Sequence, residues 1–190
     1  MTNIMIDLET LGTSPFETPP GVTILSIGAV VFDYKAPNPI LETFYQEIST
    51  PSCTAYGLKS SDATVAWWKR QAPEAQQLLV RCQNATDTNV VSLPIALERF
   101  RNFLLLHRSR ALYAKGGSFE YPILRAAFRA AGITPPWNYW DEMCIRSLMR
   151  LFHSKPKASP HNALDDARQQ ALWLCNHLRT YYTLLETAHD

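Results

Sequence analysis

The chain has 190 residues, 46% of them hydrophobic and 18% charged, with a formal net charge of +1. That is long enough for a domain with a sizeable core, and the near-neutral balance leaves any binding of a polyanion to a local site rather than to overall charge. No apolar run approaches the roughly 20 residues of a membrane span, so a membrane partner is excluded. The first residues enter a strand pattern at once, without a basic stretch and an apolar signal segment. The expectation is one domain over residues 1–190 in the cytoplasm. Cys53, Cys82, Cys144 and Cys175 are dispersed and form no C-x-x-C pair, which predicts free thiols and no zinc site.

The first predicted element is a strand over residues 3–10. Side chains alternate along a strand, so Asp7 and Glu9 share one face while Ile4, Ile6 and Leu8 take the other. Residues 11–21 have loop composition. Val22 to Asp33 is apolar on both faces, as in a strand covered on both sides. Pro37-Asn38-Pro39 makes a turn and Ile40 to Ile48 a third strand, giving an antiparallel meander.

Thr64 to Gln71 and Pro73 to Cys82 read as two short helices, with Pro73 in a first turn. Asn84 to Asn89 is loop-like. Ser92 can cap a helix to about His107 that aligns Leu93, Leu97, Phe100 and Leu104. Ala111 to Lys115 is a short strand, Gly116-Gly117-Ser118 a turn, and Phe119 to Ala131 a helix that Gly132 ends. Asn138 to Trp140 reads as a last short strand, and Asp141 as the cap of a helix reaching Phe152. A polar loop over 153–160 carries Lys155 and Lys157. The final helix starts near Asn162 with the stripe Leu164, Ala167, Ala171, Leu174, Leu178, Tyr182 and Leu185. The order predicts an α/β fold with a mixed central sheet, three antiparallel strands plus short parallel ones, flanked by helices.

Three stretches carry candidate chemistry. Asp7 and Glu9 repel each other on a strand this apolar, so they need a cation between them or a proton on one. Glu120 follows a Gly-Gly turn in a helix's first turn, where the dipole alone favours a carboxylate. Gly116 and Gly117 let the backbone pass close to a neighbouring strand or a ligand. In His161-Asn162-Ala163-Leu164-Asp165-Asp166, Asn162 suits a cap and both acids suit the first turn, but neither role explains His161. Four carboxylates and one histidine are oxygen and base groups of the kind that hold Mg²⁺ or Mn²⁺. Two such ions about 3.5–4 Å apart drive phosphodiester hydrolysis, one activating water and the other stabilising the leaving oxygen. A nearby histidine can take the water's proton.

Asp7-x-Glu9-Thr10, Ser118-Phe119-Glu120 and His161-x-Ala163-x-x-Asp166 resemble the three motifs of the DEDDh 3′–5′ exonucleases, a family of the ribonuclease H-like superfamily. Order and spacing agree over about residues 3–180. The stretch Thr64-Val65-Ala66-Trp67-Trp68-Lys69-Arg70-Gln71-Ala72-Pro73-Glu74-Ala75 resembles one found in the phage DexA exonuclease and RNase AS-like exoribonucleases. The resemblance implies a ribonuclease H-like fold and two Mg²⁺ or Mn²⁺ ions. Asp7 would bridge the ions. Glu9 and Asp166 would join it on the one that activates water. Glu120 would support the second, and His161 would be the general base. Glu120 stands where most of the family has Asp, as in RNase AS-like proteins, which leaves direct and water-mediated metal contact both open. Thr10, Leu11 and Gly12 would hold the terminal nucleotide with backbone groups and an apolar wedge. Ser118 and Phe119 would lie beside them, Phe119 either stacking on a base or packing in the core. Adjacent helix positions face different ways, so one of Trp67 and Trp68 would pack inside and the other reach the substrate groove. The expected activity is 3′–5′ removal of nucleoside 5′-monophosphates from single-stranded ends, RNA ahead of DNA, by a homodimer. The alternatives are a phage-type 3′–5′ exodeoxyribonuclease, a nucleic-acid-binding module without catalysis, and a structural metal-binding domain.

Overall fold

A computed structural model describes residues 2–13, 21–85, 87–107, 111–157 and 161–187. The loop expected over 11–21 and the end of the loop expected over 153–160 fall largely outside the described residues. The meander forms as expected: β1 (Asn3–Thr10) pairs antiparallel with β2 (Ile24–Phe32), and β2 with β3 (Ile40–Ile48). Three short strands extend it in parallel. β4 (Val90–Val91) joins β3, β5 (Leu112–Ala114) joins β1, and β6 (Glu142–Cys144) joins β5. The six-stranded order is β4-β3-β2-β1-β5-β6, which places β1 in the interior with β2 and β5 on either side.

The helices are α1 (Thr50–Ala55), α2 (Asp62–Trp68), α3 (Pro73–Asn84), α4 (Leu93–His107), α5 (Glu120–Ala130), α6 (Ile145–Leu151) and α7 (Ala163–Thr187). One face of the sheet buries Ile4, Ile6 and Leu8 with Leu97 and Phe100 of α4 and Leu124 and Phe128 of α5. The other buries Met5, Val30 and Phe32 with Ala167, Ala171 and Leu174 of α7 and Ile145 of α6. A third cluster joins Leu11, Leu25 and Trp68 to Leu78, Leu79 and Cys82 of α3. Each such Leu, Ile or Phe contributes roughly 1.5–3 kcal/mol, so α7 is anchored along its first three turns. Farther on, Tyr182 and Leu185 leave the expected stripe and are exposed. Tyr182 stacks on Tyr34 at 5.2 Å, and the Arg179 guanidinium donates to the Tyr34 and Ala36 carbonyls.

Several expectations are corrected. Asn138 to Trp140 is not a strand. Tyr139–Asp141 is a single 3₁₀ turn closed by a capping box, in which the Asn138 side chain accepts from the Asp141 backbone and Asp141 Oδ2 accepts from the Asn138 N–H at 2.8 Å. Asp141 is therefore spent on that turn. The last strand follows it as β6, and α6 starts at Ile145. Helix α2 begins earlier and ends earlier than expected, because Ser61 caps it by accepting from the Thr64 N–H. The sequence reading also missed α1 and β4. The four cysteines are free, as expected. Among the described residues, no helix is long and apolar enough to cross a membrane.

Candidate active site

Strand β1 delivers Asp7 and Glu9 to the face opposite Ile6 and Leu8, as the alternation predicts. Asp166 comes from the first turn of α7. Asn162 caps that helix: its Oδ1 accepts from the backbone N–H of Leu164 at 3.0 Å and of Asp165 at 3.1 Å. Of the two adjacent acids, Asp165 is exposed at the positive end of the helix and Asp166 turns inward. One ligand oxygen each from Asp7, Glu9 and Asp166 lie within 4.8 Å of one another, the one group of this kind among the described residues.

A glycine that the sequence reading did not single out allows this meeting. Gly28 on β2 is the register partner of Asp7. A Cβ there would lie 2.2 Å from the Ala163 carbonyl carbon and 2.3 Å from the Leu164 nitrogen. The start of α7 thus rests on bare β2 backbone directly beside Asp7. Gln170, one turn after Asp166 and also missed, donates its amide to Asp7 Oδ1 at 2.7 Å.

At an effective dielectric of about 20, two full charges 4.8 Å apart repel by roughly 3.5 kcal/mol. The acids respond as that repulsion and their burial require. Burial, then the charges of Glu9 and Glu120, hold the Asp7 carboxyl well above its usual range; the Gln170 hydrogen bond pulls the other way. Burial and the charge of Asp166 push Glu9 up to about 8. Such a set has either protons or cations among its oxygens near neutral pH. Hard oxygen donors with these pKa directions fit a divalent cation.

Glu120 stands slightly apart. It is 5% exposed, in the first turn of α5, and its Oε2 accepts from the Gly116 N–H at 3.1 Å. Burial raises it to about 7, against hydrogen bonds from its own and the Gly116 backbone and the nearby charges of Arg146 and Lys115. The two glycines before it resolve differently. A Cβ on Gly116 would crowd the Glu120 carboxylate at 3.1 Å and Arg146 Nη2 at 2.8 Å, whereas one on Gly117 would meet Cys144 of β6 at 3.0 Å. Gly116 makes room for a carboxylate and Gly117 for a strand.

A cleft of about 480 Å³ opens beside Glu9, lined by Thr10, Gly12, Trp67, Trp68 and Phe119 among others. The adjacent tryptophans divide as their helical spacing requires. Trp68 is 1% exposed, and its Nε1 donates to the Thr10 carbonyl at 2.9 Å. Trp67 is 38% exposed. The His161 ring meets Trp67 edge-on at 4.8 Å and Trp68 at 5.8 Å, on a backbone with φ of 56°. His161 therefore packs against the two tryptophans that line the cleft, with a conformation that non-glycine residues seldom adopt. Phe119 packs against the core, as one of its two expected roles requires, and also lines the cleft. Leu11 does not reach the cleft. Its side chain is fully buried with Leu25 and Trp68, its N–H donates to Thr23 O, and its carbonyl accepts from the Ser61 N–H. Ser118 is exposed and lies outside the cleft lining.

The mixed sheet thus brings carboxylates of its interior strand and of the last helix together next to an aromatic cleft. The chain matches the family described as a 3′-5′ exoribonuclease Rv2179c-like domain over residues 2–178, and it belongs to that family of 3′–5′ exonucleases. It is similar to the exodeoxyribonuclease of Enterobacteria phage T4, at 26% identity over 77% of this chain and 70% of the relative. Among solved structures it resembles the nuclease domain of 3′hExo, a DEDDh family member bound to rAMP. That match has a TM-score of 0.63 and 16% identity over 94% of this chain and 92% of the other. It also resembles E. coli exonuclease I in complex with a 5cy-dA13 oligonucleotide, with a TM-score of 0.63 and 13% identity over 92% of this chain and 39% of the other. At these identities the structures establish a shared fold. Family membership implies use of a divalent metal.

Proposed function

We propose that this chain is a single exonuclease domain, residues 1–190, that removes nucleoside 5′-monophosphates from single-stranded 3′ ends with two Mg²⁺ or Mn²⁺ ions, acting on RNA in preference to DNA. The observation that carries the proposal is the convergence of Asp7, Glu9 and Asp166 within 4.8 Å beside an aromatic cleft. Asp7, Glu9 and Asp166 would hold the metal, with Glu120 supporting the second ion from the α5 corner. Bound there, the ions supply an activated water and neutralise charge on the leaving oxygen. His161 takes the proton of the attacking water; its contact with Trp67, a ring that lines the cleft, supports this role. Thr10, Gly12 and Phe119 line the seat of the terminal nucleotide, and Trp67 offers an exposed ring for a base. Stacking of this kind is worth roughly 1–3 kcal/mol and tolerates any base, which fits single-strand binding without sequence preference.

The RNA preference rests on the family's description, and the phage relative favours the DNA alternative. That two structural neighbours hold rAMP and an oligonucleotide supports a nucleic-acid occupant for the cleft. We extend the proposal to a homodimer, on family resemblance alone, and to the cytoplasm, with light scattering and cell fractionation as the tests. A panel of end-labelled single-stranded and duplex RNA and DNA of matched sequence tests the substrate. The proposal expects single-stranded RNA to be shortened fastest. Faster shortening of DNA would give the phage-type reading, and tight binding without shortening would give the non-catalytic one.

A further inference from the structure

We infer that Gln170 is a positioning residue for the metal site: its amide fixes the Asp7 carboxylate in the orientation that the cation needs. This rests on the functional reading above and deepens it. Gln170 lies four residues after Asp166 on the inward face of α7 and is 1% exposed. Its Nε2 donates to Asp7 Oδ1 at 2.7 Å. Its Oε1 is buried and has no hydrogen-bond partner among the described residues. A buried amide is normally satisfied at both ends, so this orientation serves Asp7 rather than Gln170. Turning the amide over would set its carbonyl oxygen against the Asp7 carboxylate, two acceptors facing each other. With a cation holding Asp7 ionised, the NH₂ end stays on Oδ1, so the amide holds that carboxylate oxygen in place.

The same helix turn thus supplies one acid to the cluster and orients another. Partners that orient metal-binding side chains typically change metal affinity by about 10–100-fold when removed. Packing alone predicts something different, because a long apolar side chain fills the same space.

The test is Gln170→Met, which keeps the volume and removes the amide, with Gln170→Asn, whose amide stops one methylene short, as the second variant. Mn²⁺ binding is measured calorimetrically on each purified protein, alongside its Tm in chelator and its kcat and KM on an oligonucleotide. The expected result is Mn²⁺ affinity at least about tenfold weaker in both variants. With it go a lower kcat at fixed Mn²⁺, an unchanged KM for the oligonucleotide, and a Tm in chelator that does not fall for Gln170→Met. Wild-type Mn²⁺ affinity and kcat in both variants, beside an active wild type, would overturn the role of Gln170 alone. A wild type that neither binds Mn²⁺ nor cleaves would overturn the functional reading and this inference together.

Discussion

Three carboxylates that repel one another are tolerated in this site because something else is meant to share it. Asp166→Asn removes one charge from the cluster. It is expected to lower cleavage roughly a hundredfold or more, since a metal-binding group is lost, and to raise the Tm of the metal-free protein. Gel assays and thermal denaturation in chelator check both, and a lowered Tm would instead show a structural role. The pH dependence has a definite sign. Glu9, held up to about 8, and Glu120, held up to about 7, keep protons in the folded chain that an unfolded carboxylate has lost above about pH 4.3. The folded state therefore binds more protons in this window, and stability falls as pH rises from about 5 to 8. Thermal scans in chelator should show that decline, and a divalent cation should offset it most at the alkaline end; a flat profile would contradict the proposed pKa directions. Trp68→Phe strands the buried Thr10 carbonyl and should cost about 1–3 kcal/mol in urea denaturation. Trp67→Ala should raise KM, by the roughly 1–3 kcal/mol of a lost stacking contact, while its lost ring contacts with Trp68 and His161 cost stability about 0.5–1.5 kcal/mol each.

Among the elements, the packing of β2 against α7 decides whether the acids meet. Gly28→Ala drives a methyl group into the α7 backbone, where no flexible side chain can give way. The expected cost is roughly 1–3 kcal/mol or more, with a larger fractional loss of activity than of folded protein, measured by urea denaturation and specific activity. β1 and the start of α7 were legible in the sequence because their signals are local: alternation around Asp7 and Glu9, and a cap at Asn162. Gly28 and Gln170 were not, because their roles come from partners 135 and 163 positions away. Leu11 was read as a wedge into the cleft because its position after Thr10 does not say which way it points; it points into the core. Asn138 to Trp140 reads as a strand in the sequence, but reciprocal capping by Asn138 and Asp141 closes a turn there instead. β4, with two residues, is too short to carry a period.

At the scale of the whole molecule, the family match over residues 2–178 spans the whole sheet and all three acids of the cluster. What the fold does not encode in any one residue is sugar recognition, since a site distinguishes RNA from DNA through contacts to the 2′-hydroxyl. The central claim is directional, metal-dependent removal of mononucleotides at the Asp7, Glu9 and Asp166 cluster. The most direct measurement is a time course on a 5′-end-labelled single strand with Mn²⁺, with Mn²⁺ replaced by chelator, and with the Asp166→Asn protein. The account predicts a ladder that shortens one nucleotide at a time and releases 5′-monophosphates in the first reaction, and an intact strand in the other two. Immediate release of labelled mononucleotide, internal cuts, or undiminished shortening in chelator or with Asp166→Asn would contradict it.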